Sequence, residues 1–98
     1  MGYMFFEASA FNADIGEWNV TSVSGTEGMF GEAVAFNADI SGWDVKKATN
    51  MNYMFNGAAN FTHTLCPAPW VESKASQEDM FQGSAGCIAL TVSCVSCR

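Results

Sequence analysis

Met4-Phe5, Met29-Phe30 and Met54-Phe55 recur at a step of 25 residues, and whole columns of side chains keep that step with them. Ala8, Ala33 and Ala58 form one column; Phe11, Phe36 and Phe61 another; Ile15, Ile40 and Leu65 a third. Trp18 matches Trp43, and Val20 matches Val45. The segments FNADIGEWNV and FNADISGWDV differ at only three positions. A fourth start, Met80-Phe81, arrives 26 residues after the third, behind a unit that has lost much of the pattern. A fixed period of this length marks a tandem array whose units bury their apolar faces only by stacking on one another.

Within a unit, Met51, Met54, Phe55 and Ala58 fall at i, i+3, i+4 and i+7, the spacing of one helical face, so a short helix or helical turn is expected there. Asn12-Ala13-Asp14 and Asn37-Ala38-Asp39 have turn composition. The following Ile15-x-x-Trp18-x-Val20 and Ile40-x-x-Trp43-x-Val45 have the spacing of a leucine-rich-repeat strand. These elements predict an α/β repeat: a leucine-rich-repeat-like, right-handed solenoid of about three to four coils, with a parallel sheet on one face and short helical turns on the other. The expected core is a ladder of Phe5, Phe30, Phe55 and Phe81, of Phe11, Phe36 and Phe61, of Ile15, Ile40 and Leu65, and of Trp18, Trp43 and Trp70. Each tryptophan buried this way removes about 150–250 Å² from water. Residues 1–65 are read as tandem repeats, and 66–98 as a degenerate last repeat and a cysteine-containing cap.

The pattern M-F-x-x-A-x-x-F-N-x-D-I-x-x-W-[ND]-V resembles the BspA-like leucine-rich-repeat surface proteins. It is also similar to the 25-residue repeat of Mycoplasma-type surface lipoproteins and of algal proteins. The resemblance is strong over Met1 to Leu65 and weak over Cys66 to Ile88. It implies a secreted or cell-surface solenoid used in adhesion or in binding other proteins, with no catalytic residues to carry over. The third unit departs from the pattern: FTHTLCPAPW stands where FNADISGW would, and the Asn and Asp positions become Thr62 and Thr64.

Cysteine is absent from the first 65 residues and appears four times afterwards, as Cys66, Cys87, Cys94 and Cys97. Cys66 and Cys87 sit at adjacent coils and are expected to bridge, stabilising the cap by about 3 kcal/mol for a loop of that length. Pro67 and Pro69 fit an edge meant not to recruit another strand. Cys94 and Cys97 have the C-x-x-C spacing, but no thioredoxin-like setting surrounds them. A zinc site would have to borrow His63 and distant cysteines. They are expected in disulfides of the terminal segment, with each other or with residues beyond Arg98. Clustered cysteines of this kind point to an oxidising compartment, extracellular or at the cell surface.

The balance of charge narrows the partners. A net charge of −6 with only four cations argues against nucleic acid and anionic membranes. No apolar run reaches the length of a transmembrane helix. No cofactor and no metal site is implied. The Asn-x-Asp pairs Asn12/Asp14 and Asn37/Asp39 lack the glycine frame of calcium-binding solenoids and read as turn residues. The single histidine, His63, occupies a position that is Ala13 and Ala38 in its sister units, so no nucleophile–base pair is indicated.

What remains is a binding module for protein or glycan, with a face built around Asn19, Thr21, Asp44 and Lys46. Asn19 and Asn60 head N-glycosylation triplets. The alternative is a structural solenoid fragment with no ligand of its own. A lattice-binding surface would need an outward threonine ladder, and Thr21 is followed by Lys46 one coil on. Met1 shares the column of Thr26 and Met51, so it is expected to be an internal repeat methionine. The chain would then continue upstream towards a signal peptide, and an uncovered N-terminal end would be prone to self-association.

Overall fold

The computed structural model of the protein describes residues 2–66 and 70–89. Met1, Pro67, Pro69, Cys94, Cys97 and Arg98 lie outside the described residues, and with them the expectations for the C-x-x-C pair. For description, unit 1 is residues 2–24, unit 2 is 25–49, unit 3 is 50–75 and unit 4 is 76–89.

The Met-Phe segments carry the contacts between units. Tyr3, Phe5 and Glu7 donate their backbone N–H groups to the carbonyls of Glu27, Met29 and Gly31. Thr26, Gly28, Phe30 and Glu32 donate in turn to Asn50, Asn52, Met54 and Asn56. Met51, Tyr53, Phe55 and Gly57 then donate to Ser76, Glu78, Met80 and Gln82. Alternate residues of each segment therefore bond to the next unit, in one register throughout.

These segments are not helices, and no helix occurs among the described residues. They are successive hydrogen-bonded turns: Met54 N–H to Met51 O, Asn56 N–H to Tyr53 O, Ala58 N–H to Phe55 O and Phe61 N–H to Ala58 O. A left-handed residue interrupts each run twice, at Tyr3 and Glu7, Gly28 and Glu32, Tyr53 and Gly57, Asp79 and Gly83. An α-helix cannot propagate through such a residue. Turns of this length still bring i, i+3, i+4 and i+7 to one side, which is why the apolar spacing has a helical period. Gly28, with φ +60°, lies directly beneath the Tyr3 ring, where a Cβ would collide.

Regular strand is equally scarce. β1 (Thr64–Leu65) pairs in parallel with β2 (Cys87–Ile88), Thr64 opposite Cys87 and Leu65 opposite Ile88. Single parallel bridges join Gly25 to Asn50 and Asn50 to Ser76. The expected strand around Ile15–Val20 does not form, because its backbone donors are spent locally. Trp18 N–H bonds Ile15 O, Val23 N–H bonds Val20 O, and Thr21 N–H bonds the Asn19 side chain. Short polar side chains offer the backbone such local partners in competition with a ladder.

The phenylalanine columns form the core. Phe5, Phe30, Phe55 and Phe81 stack with centroids 5.6, 5.5 and 5.3 Å apart. Phe11, Phe36 and Phe61 stack alongside at 5.9 and 5.8 Å. Within each unit the two rings lie face to face, 4.0, 3.9 and 4.2 Å apart. Each pair adds about 0.5–1.5 kcal/mol beyond the area it buries. Ile15, Ile40 and Leu65 are buried beside them, as are Met29, Met51 and Met54. Phe5, Phe11 and Phe81 are only partly buried, since they occupy the outer units.

The tryptophans do not form the expected ladder. Trp43 is buried, tilts against Phe30, and sends its indole N–H back to Ile15 O in unit 1 at 2.9 Å. Trp18 is 42% exposed and tilts only against Phe5 of its own unit, with no earlier unit among the described residues to receive it as unit 1 receives Trp43. Trp70 is fully buried but stands two positions late in its column, and its indole nitrogen has no partner among the described residues. The two buried rings therefore differ in one hydrogen bond. Trp43→Phe is expected to lower the unfolding free energy by about 1 kcal/mol more than Trp70→Phe. Urea denaturation of the two variants measures the difference, and equal losses would mean that the Ile15 bond contributes nothing.

Candidate functional site

Three residues at the end of unit 2 and four of unit 3 enclose the site. After Val45 the chain turns outward at Lys46, and Ala48 returns inward, its N–H on Val45 O. Thr49 gives both its N–H and its hydroxyl to Ser24 O. One unit on, Ser73 N–H bonds Trp70 O, and the Ser73 hydroxyl oxygen accepts the N–H of Ala75. Between these two turns lies an open cleft of about 390 Å³, lined by Lys46, Ala48, Thr49, Glu72, Ser73, Lys74 and Ala75.

The cleft gathers two of the four cationic side chains of an acidic chain, with one carboxylate, Glu72, among its walls. Ala48 and Ala75 supply small apolar surface, and Thr49 and Ser73 supply oxygens. The Lys46 ammonium lies 3.7 Å from the Asp44 carboxylate, but both side chains are well exposed. Such a pair contributes little and leaves the ammonium able to turn to a ligand. Of the two hydroxyl groups of the cleft, that of Thr49 donates to Ser24 O and that of Ser73 accepts from Ala75 N–H.

Of the face expected from sequence, only Lys46 reaches this cleft. Asn19 accepts both the N–H and the hydroxyl of Thr21, at 3.1 and 2.7 Å, and Asp44 accepts the N–H of Lys46. These residues close turns, one in each unit. Thr49, Glu72, Ser73 and Lys74 were not singled out by sequence; the scarcity of cations is the signal that marks Lys74.

The Asn-x-Asp pairs also work as turn and stacking residues. The Asn12 side chain accepts the N–H of Asn37, and the Asn37 side chain that of Thr62. Asp14 and Asp39 accept the N–H groups of Gly16 and Ser41. Among the described residues no group of three or more His, Cys, Asp or Glu side chains could hold a metal ion. His63 places Nε2 2.8 Å from Asn37 O, which fixes the proton on that nitrogen. Asn19 and Asn60 are both exposed, while the Thr62 hydroxyl of the second triplet contacts the Asn37 side chain.

Cys66 and Cys87 are both held in disulfides, and no described cysteine is free. The register of the two strands sets Cys87 opposite Thr64, two residues out of step with Cys66. No helix among the described residues is long and apolar enough to cross a membrane.

With the repeat, the stacked rings and the turn residues in view, the comparison with known families becomes specific. A family model described as "Mycoplasma protein of unknown function, DUF285" matches residues 1–89. The chain belongs to that family. The match takes in all four units and both sides of the cleft. No curated protein and no solved structure matches the chain.

One turn carboxylate has a titration consequence. Asp39 is held below its ordinary value of 3.8 by the Ser41 hydroxyl and the Ser41 N–H, with a smaller contribution from the nearby His63 charge. A carboxyl lowered in the folded state stabilises the fold above its unfolded value and loses that contribution as pH falls through the folded one. Asp39→Asn keeps the acceptor oxygen but removes the titration. In denaturant melts at decreasing pH, the gap between the natural chain and Asp39→Asn should narrow below 3.8. Parallel curves would show that the Ser41 contacts do not favour the ionised form.

Proposed function

We propose that this chain is a non-catalytic, secreted or cell-surface repeat module that binds protein or glycan, part of a BspA-like leucine-rich-repeat solenoid. The observation that carries the reading is the cleft between units 2 and 3, where Lys46 and Lys74 meet on an otherwise acidic chain. Its chemistry suits a ligand with one acidic group flanked by hydroxyl or amide groups, such as an acidic sugar or an acidic peptide side chain. Two ammonium groups would receive the anion, Glu72 would accept from neighbouring donors, and the alanines would pack against apolar carbons. Oxidised cysteines support an extracellular setting.

A second reading has its own support. Asn19, Thr21 and Asp44 are consumed by their own turns. A chain whose polar face is spent on turn closure could serve only as a structural segment of a longer array.

Two experiments test the proposal. On glycan and peptide arrays the 98-residue chain should select acidic ligands. The double substitution Lys46→Ala with Lys74→Ala should weaken that binding about tenfold, two exposed charge contacts at about 0.7 kcal/mol each. No binding by the natural chain, or undiminished binding by the double variant, would return the structural reading to first place. Peptide mapping under non-reducing conditions tests the setting and the expected bridge together. A cross-linked fragment holding Cys66 and Cys87 supports that pairing, and recovery of each joined to the 94–97 segment replaces it.

A further inference from the structure

Cys66 follows directly on β1 and Cys87 opens β2, so the register of the two strands fixes how far apart these cysteines sit. Thr64 pairs with Cys87 and Leu65 with Ile88. Backbone bonds hold that pairing on either side, from Cys87 N–H to His63 O and from Ala89 N–H to Leu65 O, both at 3.2 Å. Cys66 is therefore level with Ala89, and it packs with Ala89 and Val71 in a small cluster apart from the main core. The Cys87 sulfur lies beside Thr64 instead, 3.5 Å from its hydroxyl oxygen. Two residues of offset across one strand spacing set the Cα atoms of Cys66 and Cys87 about 8 Å apart. A disulfide cannot span more than about 7 Å between Cα atoms without moving the backbone.

Both cysteines are nevertheless disulfide-bonded. The chain contains four cysteines, so with these two set apart from each other the partners it can offer them are Cys94 and Cys97. We infer that Cys66 and Cys87 each bridge to one of Cys94 and Cys97, so that two disulfides clamp the C-x-x-C pair to units 3 and 4. This connectivity stands in place of a Cys66–Cys87 bridge and of a terminal pair closed on itself or on residues beyond Arg98. Because Cys66 belongs to unit 3 and Cys87 to unit 4, the two bridges tie those units together through the terminal pair.

The same connectivity makes the clamp sensitive to reduction. Suppose a trialkylphosphine cleaves one bridge, taking oxygen from water to become the phosphine oxide. Two thiols result, one of them on Cys94 or Cys97. Its thiolate is two residues from the other C-x-x-C sulfur, which is still bonded to Cys66 or Cys87. Attack on that sulfur forms a Cys94–Cys97 disulfide, and the displaced thiolate of unit 3 or unit 4 takes up a proton. Two electrons thereby undo both anchors.

The test uses the oxidised 98-residue chain. Chymotryptic cleavage after Leu65, Trp70, Phe81 and Leu90 separates the cysteine-bearing segments 66–70, 82–90 and 91–98. Without reductant, mass spectrometry should find all three joined in one species. Segment 66–70 joined to 82–90 alone, with 91–98 released, overturns the inference, and so does a disulfide-linked dimer on a non-reducing gel. The double variant Cys94→Ser with Cys97→Ser, oxidised and then dissolved in denaturant, should titrate two thiols per chain. A count of zero would mean that Cys66 and Cys87 reach each other after all. If circular dichroism shows that this variant does not fold, the map of the natural chain decides. Finally, one molar equivalent of phosphine followed by alkylation should label Cys66 and Cys87 in the same molecules, and label on Cys94 or Cys97 overturns the release step.

Discussion

Alternate N–H groups of each Met-Phe segment reach carbonyls of the next unit at 2.7–2.9 Å, and that short contact sets the separation of everything carried by the units. At this spacing, rings of one column come to 5.3–5.9 Å, inside the range where offset stacking is favourable. The same approach leaves no room for bulk in consecutive units at one place. Gly28 lies under Tyr3, and Gly31 under Phe6, so large side chains alternate with none. Core and surface are thus both fitted around one set of backbone bonds. A substitution that lengthens them in one unit would loosen the ring contacts on both sides of it.

The columns of identical residues were legible because burial acts on columns. Phe30, Phe36, Phe55 and Phe61 repeat and are fully buried. The conformation of the Met-Phe segment was not legible, since a helix and a series of tight turns share the spacing i, i+3, i+4 and i+7. A clue did stand in the columns. Gly28 shares a position with Tyr3 and Tyr53, and Gly57 with Glu7 and Glu32, and all of them are left-handed. Read singly, Tyr and Glu give no such warning, because most residues of these types avoid that region. Trp18 was misjudged for a different reason. Its column is inward only where a preceding unit receives the ring, as unit 1 receives that of Trp43.

The candidate cleft was less legible still. Its walls come from turns in two units, and the third unit has lost the column pattern that would have aligned Lys74 with anything earlier. Asn19, Thr21 and Asp44 drew notice as an outward polar face; Asn19 is exposed, and Thr21 and Asp44 are half-buried. Their side chains are nevertheless committed to their own backbone, which sequence composition does not separate from a binding role. Lys46 escapes this fate because an ammonium has no acceptor to offer the chain and must look elsewhere for a partner.

The uniform sense of the bonds between Met-Phe segments has an electrical meaning. In an ordinary β-sheet the peptide dipoles of neighbouring residues oppose one another and nearly cancel. Here the bonded peptides of the Met-Phe segments point their N–H groups towards unit 4 and their carbonyls towards unit 1. Bonds elsewhere in the units run the other way, from Thr49 to Ser24, Asn60 to Val34, Ser76 to Thr49, Cys87 to His63 and Ala89 to Leu65, so the aligned peptides form a polar row on the Met-Phe side alone. The positive end of that row lies at unit 4, where Glu78 and Asp79 stand exposed. Acidic side chains gathered there lie where the field of that row favours them, while the reversed bonds that each unit also brings, such as Thr49 to Ser24 and Ser76 to Thr49, oppose it on the other side.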